Sequence, residues 1–369
     1  MSFSILRDQE VAVRLMQNML ERGRVSHALL FCGPSGVGKR LAAIEMAKAV
    51  NCTGAGHDAC DTCLSCRKVV SGNHPDLKVV VPKKKSRTID VETVESITDI
   101  ASMKPLEGRC HVFLVHDAER MNFAAQNHFL KTLEEPPSQA LFVLTTEYPR
   151  MLLPTIRSRC QNVRFRALRP ATVVDLLKQQ KDLPDDVAVS IAAVAQGQMS
   201  RALDLVDSDK RQMALAIAKE LADGANPVTT AEAFVKTLES ERKRIENSVE
   251  ADSSELNSAE LTREAKERIK EEQGAAIDAL VRRDVMEYLY LLETWYRDVM
   301  VYSAAGELKH VLNRDHADLL TKSAAVNSWE TAVACSKKIQ AIEKARVYLE
   351  RFIAEDRVFR DLFFTLAGK

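Results

Sequence analysis

The chain has 369 residues, 46% of them hydrophobic, which allows two or three domains with real cores. Its 52 basic and 52 acidic side chains cancel to a formal charge of +0, which excludes a global pull toward nucleic acid or anionic membrane and leaves only local patches for such contacts. No stretch approaches the roughly 20 apolar residues of a membrane span, and Met1-Ser2-Phe3-Ser4 lacks a basic-then-apolar leader pattern, so a cytoplasmic protein without membrane partners is expected.

Residues 8–24 carry Val11, Val13, Leu15, Met16 and Leu20 near helical spacing. Ser26-His27-Ala28 opens a first strand, where His27 either touches a nucleotide or is a structural histidine at the strand entrance. The apolar run 28–31 leads into Cys32-Gly33-Pro34-Ser35-Gly36-Val37-Gly38-Lys39-Arg40, and an Ala/Leu-rich helical pattern leaves it. Strand, glycine loop, helix is the setting of a phosphate-binding loop. The glycines let backbone N–H groups point at phosphate oxygens, Lys39 reaches the outer phosphates, and the helix N-terminus adds partial positive charge. Gly33, Pro34, Ser35, Gly36, Val37, Gly38, Lys39 and Arg40 are therefore the candidate site for ATP or ADP. After the lysine such loops place Ser or Thr to hold Mg²⁺. Arg40 stands there instead, so the cradle is present and the usual metal ligand is not.

Four of the 8 cysteines are bunched as Cys52-x7-Cys60-x2-Cys63-x2-Cys66. In a reducing compartment bunching points to metal rather than disulfides. Four thiolates at these spacings can close a tetrahedron around Zn²⁺, with no open position, which makes the site structural. Scattered buried cysteines and an iron–sulfur cluster are the alternatives, since spacing alone excludes neither. His57 is a substitute ligand for one of the four.

Residues 77–81 form a short β-branched run, a second strand. The following Lys83-Lys84-Lys85 is a solvated basic loop or a phosphate-backbone contact. Residues 89–103 return to helical spacing. His111-Val112-Phe113-Leu114-Val115 has the composition of a strand buried in a parallel sheet. In P-loop ATPases the matching strand ends in two acidic residues, the first steadying Mg²⁺ and the second helping activate water. Here His116-Asp117-Ala118-Glu119 follows. With His116 in the first position the metal ligand is lost again and Asp117 takes the place of the water-activating Glu, one methylene short; a shift of one residue gives Asp117 the Mg²⁺ role instead. Leu141-Phe142-Val143-Leu144 is another buried strand, ending in Thr145-Thr146. The Thr145 hydroxyl either meets a γ-phosphate or attacking water, or is satisfied by backbone. Ile156-Arg157-Ser158-Arg159-Cys160 comes next, then Val163-Arg164-Phe165 as a fifth strand.

Arg169-Pro170 breaks the chain. Residues 171–205, 213–221 and 231–238 are helical in pattern. About half of residues 236–272 are charged, with both signs mixed and no aromatics, which fits two solvated helices joined by a turn or one long helix with a frayed centre, either an exposed hairpin or a docking arm. Leu280, Val285, Leu289, Leu292, Trp295 and Val299 give residues 277–301 a strong apolar stripe. Ile339, Ile342, Ala345, Leu349, Phe352 and Ile353 repeat it near the end.

One set of motifs resembles a known family. Ser26-His27-Ala28, the four-cysteine insert, His74-Pro75-Asp76, Asn127-x2-Leu130-Lys131-Thr132-Leu133-Glu134-Glu135-Pro136-Pro137 and Ser158-Arg159-Cys160 are together similar to the bacterial DNA polymerase III clamp-loader AAA+ proteins. The match covers roughly residues 1–205 well and the remainder only by pattern.

The resemblance implies an α/β AAA+ P-loop module with a zinc insert over 1–167, a small helical lid over 168–208 and an all-α collar over 209–369 that joins five subunits. Motor subunits of the gamma/tau type keep an intact P-loop and acidic pair; this chain departs at Arg40, at His116, and at Ser200, where the motor's sensor arginine would fall. Arg201 is one position off, about 100° round a helix. These departures point to the delta prime type. The resemblance gives Arg159, beside Ser158, the role of an arginine finger reaching a neighbour's ATP site, and leaves the chain itself at most a weak ATPase within the polymerase holoenzyme, not a polymerase. Expected partners are the gamma/tau and delta subunits of a hetero-pentamer, the sliding beta clamp and primed DNA. An active motor subunit, an inert scaffold and a stand-alone DNA remodeller are the rival readings.

Overall fold

The computed structural model describes residues 2–54, 58–82, 88–254, 263–324, 328–351 and 353–368. His57, Lys83-Lys84-Lys85, Phe352 and residues 255–262 of the charged segment lie outside the described residues. The chain divides into two compact units. One comprises Met1–Thr172 with Gly197–Ser200, the other Val173–Gln196 with Arg201–Lys369.

The first unit is built on five parallel strands: β1 (Ala28–Cys32), β2 (Leu77–Val80), β3 (His111–Val115), β4 (Ala140–Thr146) and β5 (Gln161–Arg164), in the order β2-β3-β4-β1-β5. A strand with helices on both faces buries both sets of alternate side chains, which is why β1, β3 and β4 are continuous apolar runs rather than alternating ones. Leu29, Phe31, Val112, Leu114, Leu141 and Val143 enter one core. Ala28, Leu30, Phe113, Val115, Phe142 and Leu144 enter the other. The first core is closed by α1 (Glu10–Glu21) and α2 (Lys39–Asn51) and by α3 (Leu64–Val70). The second is closed by α4 (Val91–Ala101), α5 (Phe123–Glu134) and α6 (Pro154–Arg159). Helix starts follow ordinary capping chemistry: the Asp90 carboxylate accepts from Thr93 N at 3.0 Å and the Asn122 side chain from Ala125 N at 2.8 Å. In α1 the buried face is Ala12, Met16 and Met19, and Val11, which the spacing puts on the apolar stripe, points to solvent.

Helices α7 (Pro170–Gln180), α8 (Asp185–Val194) and α9 (Met199–Asp207) follow, then α10 (Lys210–Ala222), α11 (Pro227–Ser254), α12 (Arg263–Ala305), α13 (Ala317–Ser323), α14 (Trp329–Glu350) and α15 (Glu355–Leu366). The second unit has no strand among its described residues. Val285, Leu289, Leu292, Trp295 and Val299 of α12 are all buried, as their spacing predicts. The stripe read over 339–353 is interrupted: α14 ends at Glu350, Ile353 is exposed after it, and α15 supplies Phe359 and Phe363, which stack about Phe234 at 4.8 and 5.7 Å between ring centroids. The unit also holds a buried ion pair, Arg211 Nη2 to Asp315 Oδ1 at 2.6 Å, with Asn313 Oδ1 accepting a further bond from Arg211 at 2.9 Å. Among the described residues no helix is long and apolar enough to cross a membrane.

Candidate functional site

Parallel α/β sheets place ligands beyond the carboxyl ends of their strands, where neighbouring connections diverge. In this sheet β1 lies between β4 and β5, so the loops that follow β1, β3 and β4 share one edge. Residues 33–38 leave β1 there. Gly36 has φ +69°, and a Cβ on it would stand 2.3 Å from Ser200 N; Gly38 has φ +98° and starts α2. Both conformations are strained for any residue with a side chain. Gln9 fastens the loop from behind: its amide donates to Arg166 O at 2.8 Å and accepts from Arg166 N at 2.9 Å, with Val37 O at 3.4 Å. Nothing in the local pattern around Gln9 signals that role.

Lys39 Nζ donates to Gly33 O at 2.6 Å and Pro34 O at 2.5 Å. Burial holds its pKa below the usual lysine value, against the opposing pull of Glu147, Glu119 and Asp117. Glu147 and Glu119 are members of this edge that sequence reasoning passed over. Arg40 leaves the loop and pairs with Asp117, Nη2 to Oδ2 at 2.7 Å. Asp117 has φ +52° at the end of β3, which turns its carboxylate toward Arg40.

His116 goes the other way. Its backbone N–H continues the ladder to Val80 O at 2.8 Å, and its ring is 5% exposed with Nδ1 3.2 Å from Thr145 Oγ1. Burial, with Arg40 adding to it, lowers its pKa to about 4, so the ring is neutral at pH 7. The register left open by the sequence is thus resolved in space: Asp117 faces the residue after the P-loop lysine and His116 faces the neighbouring strand. Thr145 Oγ1 is the group that the His116 ring meets. His27 stands at the amino end of β1, the end away from the loop, and its backbone carbonyl accepts from Phe142 N at 2.8 Å.

The edge between β1 and β5 opens into a cavity of about 390 Å³ lined by Cys32, Glu147, Arg157 and Arg164. Arg157 is a wall of this cavity. Ser158 and Arg159 lie on α6. Ser158 Oγ donates to Thr155 O at 2.9 Å, and Arg159 pairs with Glu134 at the end of α5, Nη2 to Oε1 at 2.7 Å. Gln126 joins these two helices' neighbourhoods: its Nε2 donates to Met121 O at 3.0 Å and its Oε1 accepts from Leu153 N at 2.8 Å. Ser200, where a sensor arginine would fall, has its Oγ 3.4 Å from Ser35 Oγ. Arg201 is committed elsewhere, to Glu287 at 2.7 Å and over the Tyr290 ring at 4.1 Å.

Cys52, Cys60, Cys63 and Cys66 converge, their sulfurs all within 4.8 Å of one another. Bonds of about 2.3 Å to a tetrahedral ion require sulfurs about 3.8 Å apart, so the set fits a metal with little movement. Cys60 Sγ accepts from Cys63 N at 3.3 Å and Cys63 Sγ from Cys66 N at 3.4 Å. Burial would raise the Cys63 thiol, but hydrogen bonds from Cys66 and Thr53 bring it down to about 5, which favours the thiolate. Lys48, buried in α2, donates to Glu45 Oε1 at 2.9 Å and also pairs with Asp61, tying the cysteine loop to the P-loop helix. His74 and Asp76 complete the joint: Ser65 Oγ lies 3.2 Å from His74 Nε2, and the Asp76 carboxylate accepts from Leu106, Glu107 and Gly108 N at 2.7, 2.8 and 2.6 Å.

Residues 8–169 match the family model described as DNA polymerase III, delta subunit. The chain is 38% identical over 176 residues to the DNA polymerase III subunit delta' of Bacillus subtilis, covering 48% of this chain and 53% of that one. It is 33% identical over 205 residues to the tau subunit of the same organism, covering 54% of this chain and 36% of that one. The chain therefore spans about half the length of the delta' relative and about a third of the tau relative. A solved gamma subunit-related protein from Thermotoga maritima aligns over 98% of this chain and 99% of its own, at 17% identity and a TM-score of 0.44, a loose superposition. Over residues 8–169 the chain is thus similar to delta' and tau subunits of DNA polymerase III.

Proposed function

We propose that the chain is a stator-like, delta prime subunit of a clamp loader, which helps place the sliding beta clamp on primed DNA and lends an arginine to a neighbouring ATPase. One observation carries this reading: the position that should bind Mg²⁺ is an Arg40–Asp117 ion pair at 2.7 Å, while the Ser158-Arg159-Cys160 motif is intact. A subunit that has lost its own metal ligand keeps a use for a cation aimed outward. Arg159 would stabilise charge on a phosphoryl group transferring in the neighbour's site, an effect worth roughly 10³–10⁵ in rate for arginine fingers generally. Ser158, bonded to Thr155 O, stiffens the turn that carries it.

Zn²⁺ held by Cys52, Cys60, Cys63 and Cys66 would supply a structural cross-link and no chemistry. Residues 168–208 act as the lid and residues 209–369 as the collar that joins gamma/tau and delta subunits in a hetero-pentamer in the cytoplasm. The test is steady-state ATPase in Mg²⁺, first on this chain alone and then on the reconstituted loader with Arg159→Ala. The expected outcome is negligible turnover alone and a large loss in the loader.

The similarity to tau supports a second reading, an active motor subunit. Turnover by the isolated chain at the rate of ordinary AAA+ motors would replace the stator reading with that one. An Arg159→Ala loader with unchanged ATPase would leave an inert scaffold.

A further inference from the structure

We infer that the P-loop of this chain binds a nucleoside di- or triphosphate without a divalent cation, the Arg40–Asp117 ion pair standing in for Mg²⁺. The inference rests on the assignment of residues 33–40 as a nucleotide cradle and is independent of the role given to Arg159.

The phosphate-binding parts are all in place. Gly36 and Gly38 hold the positive φ values that turn successive N–H groups inward. Lys39 is fixed on the loop's own carbonyls, at the mouth of a helix of 13 residues. The metal-binding parts are not. Mg²⁺ demands an octahedron of oxygens, supplied in such sites by phosphate, water, the hydroxyl after the lysine and a carboxylate at the end of the adjacent strand. Arg40 offers five N–H donors and no acceptor. Asp117, the carboxylate that faces this position, already accepts from Arg40. His116 is buried against Thr145 and cannot turn outward without breaking that contact. A divalent ion here would also sit beside the Arg40 cation.

The guanidinium does what the ion would have done. It is permanently charged, its fork matches a phosphate, and half its side chain is open to solvent; Asp117 takes only Nη2, so the remaining N–H donors can meet a phosphate oxygen with the pair kept.

Titrating the full chain with a fluorescent ADP analogue, in excess Mg²⁺ and then in excess EDTA, tests the inference. The expected result is a Kd that changes by less than about threefold between the two, a free-energy difference below 1 kcal/mol. Lys39→Ala should weaken binding at least about tenfold in both conditions, which locates the site. Arg40→Thr restores a hydroxyl and releases Asp117; it should bind about tenfold more tightly in Mg²⁺ than in EDTA. Wild-type binding that disappears in EDTA, no binding in either condition, or an Arg40→Thr chain indifferent to Mg²⁺ would each overturn it. The loader ATPase of Arg159→Ala is a separate measurement, so failure here and failure of the stator reading are told apart.

Discussion

Glu134 Oε1 lies 2.7 Å from Arg159 Nη2, and Thr155 O accepts from Nη1 of the same guanidinium at 3.3 Å. The arginine at the end of α6 is thus held by a carboxylate from the end of α5. A pre-placed cation does not pay rotamer entropy at the moment of reaction, and misplacement by 1 Å can cost up to about 10²-fold. In a reconstituted loader, Glu134→Ala is expected to lower kcat for ATP about tenfold with KM little changed, while Glu134→Gln, which keeps an acceptor oxygen, retains most of the activity. Melting of the isolated chain should not move, because the pair is partly exposed. An unaltered kcat in Glu134→Ala would mean that Arg159 needs no local support.

His116 makes stability depend on pH in a definite window. Its folded pKa of about 4 lies below the ordinary 6.5, so between these values the unfolded chain takes up a proton that the folded chain refuses. Stability therefore rises with pH across that window and is lost as pH falls from about 6.5 to about 4, by on the order of 3 kcal/mol in all. His116→Asn keeps a partner for Thr145 and removes the titration. Urea unfolding at pH 7 and pH 4.5 should show a smaller difference for the variant than for the wild type; equal differences would assign the acid sensitivity to other groups.

Asp76 is fully buried and accepts three backbone N–H bonds from residues 106–108. Burial alone would raise its pKa, but those bonds, with help from His111, hold it below the usual carboxylate range. Its contribution is present above the ordinary value near 3.8 and is lost as pH falls from there through the folded value. Asp76→Ala leaves three N–H groups without their acceptor and should cost about 3–5 kcal/mol, measured by urea denaturation at pH 7. A cost below 1 kcal/mol would mean that water replaces the carboxylate freely.

The cysteine cluster predicts one bound metal ion per chain by elemental analysis. Its removal with a chelator should lower the melting temperature, by about 2–4 °C for each kcal/mol lost in a unit of this size. Cys63→Ser should reduce metal content and melting temperature together. A chain that carries no metal when purified anaerobically, and melts at the same temperature with chelator, would leave the four thiols as packing only.

Much of the first unit was legible because each signal there is short-range. The apolar runs at β1, β3 and β4 follow from burial on both faces, and the glycines of 33–38 follow from the φ values the loop needs. What stayed hidden depends on partners far apart in sequence. Gln9 bonds Arg166, and Glu134 bonds Arg159. His116 and Asp117 could not be ranked in the sequence because the choice is made by Thr145 on one side and Arg40 on the other. In the second unit the stripe of α12 was plain, but the break between α14 and α15 was not. Ile353 continues the apolar spacing although the helix has already ended at Glu350.

The placing of β1 in the sheet bears on how the chain reaches this state on the ribosome. Its residues 28–32 have no strand partner until 140–146 and 161–164 have been synthesised. Pairings that remote are slow to close, and the waiting segment is the Ala-Leu-Leu-Phe run that later lies at the centre of both cores. The nascent P-loop module thus carries an unpaired apolar strand through more than a hundred residues of synthesis, until β4 supplies its first strand partner.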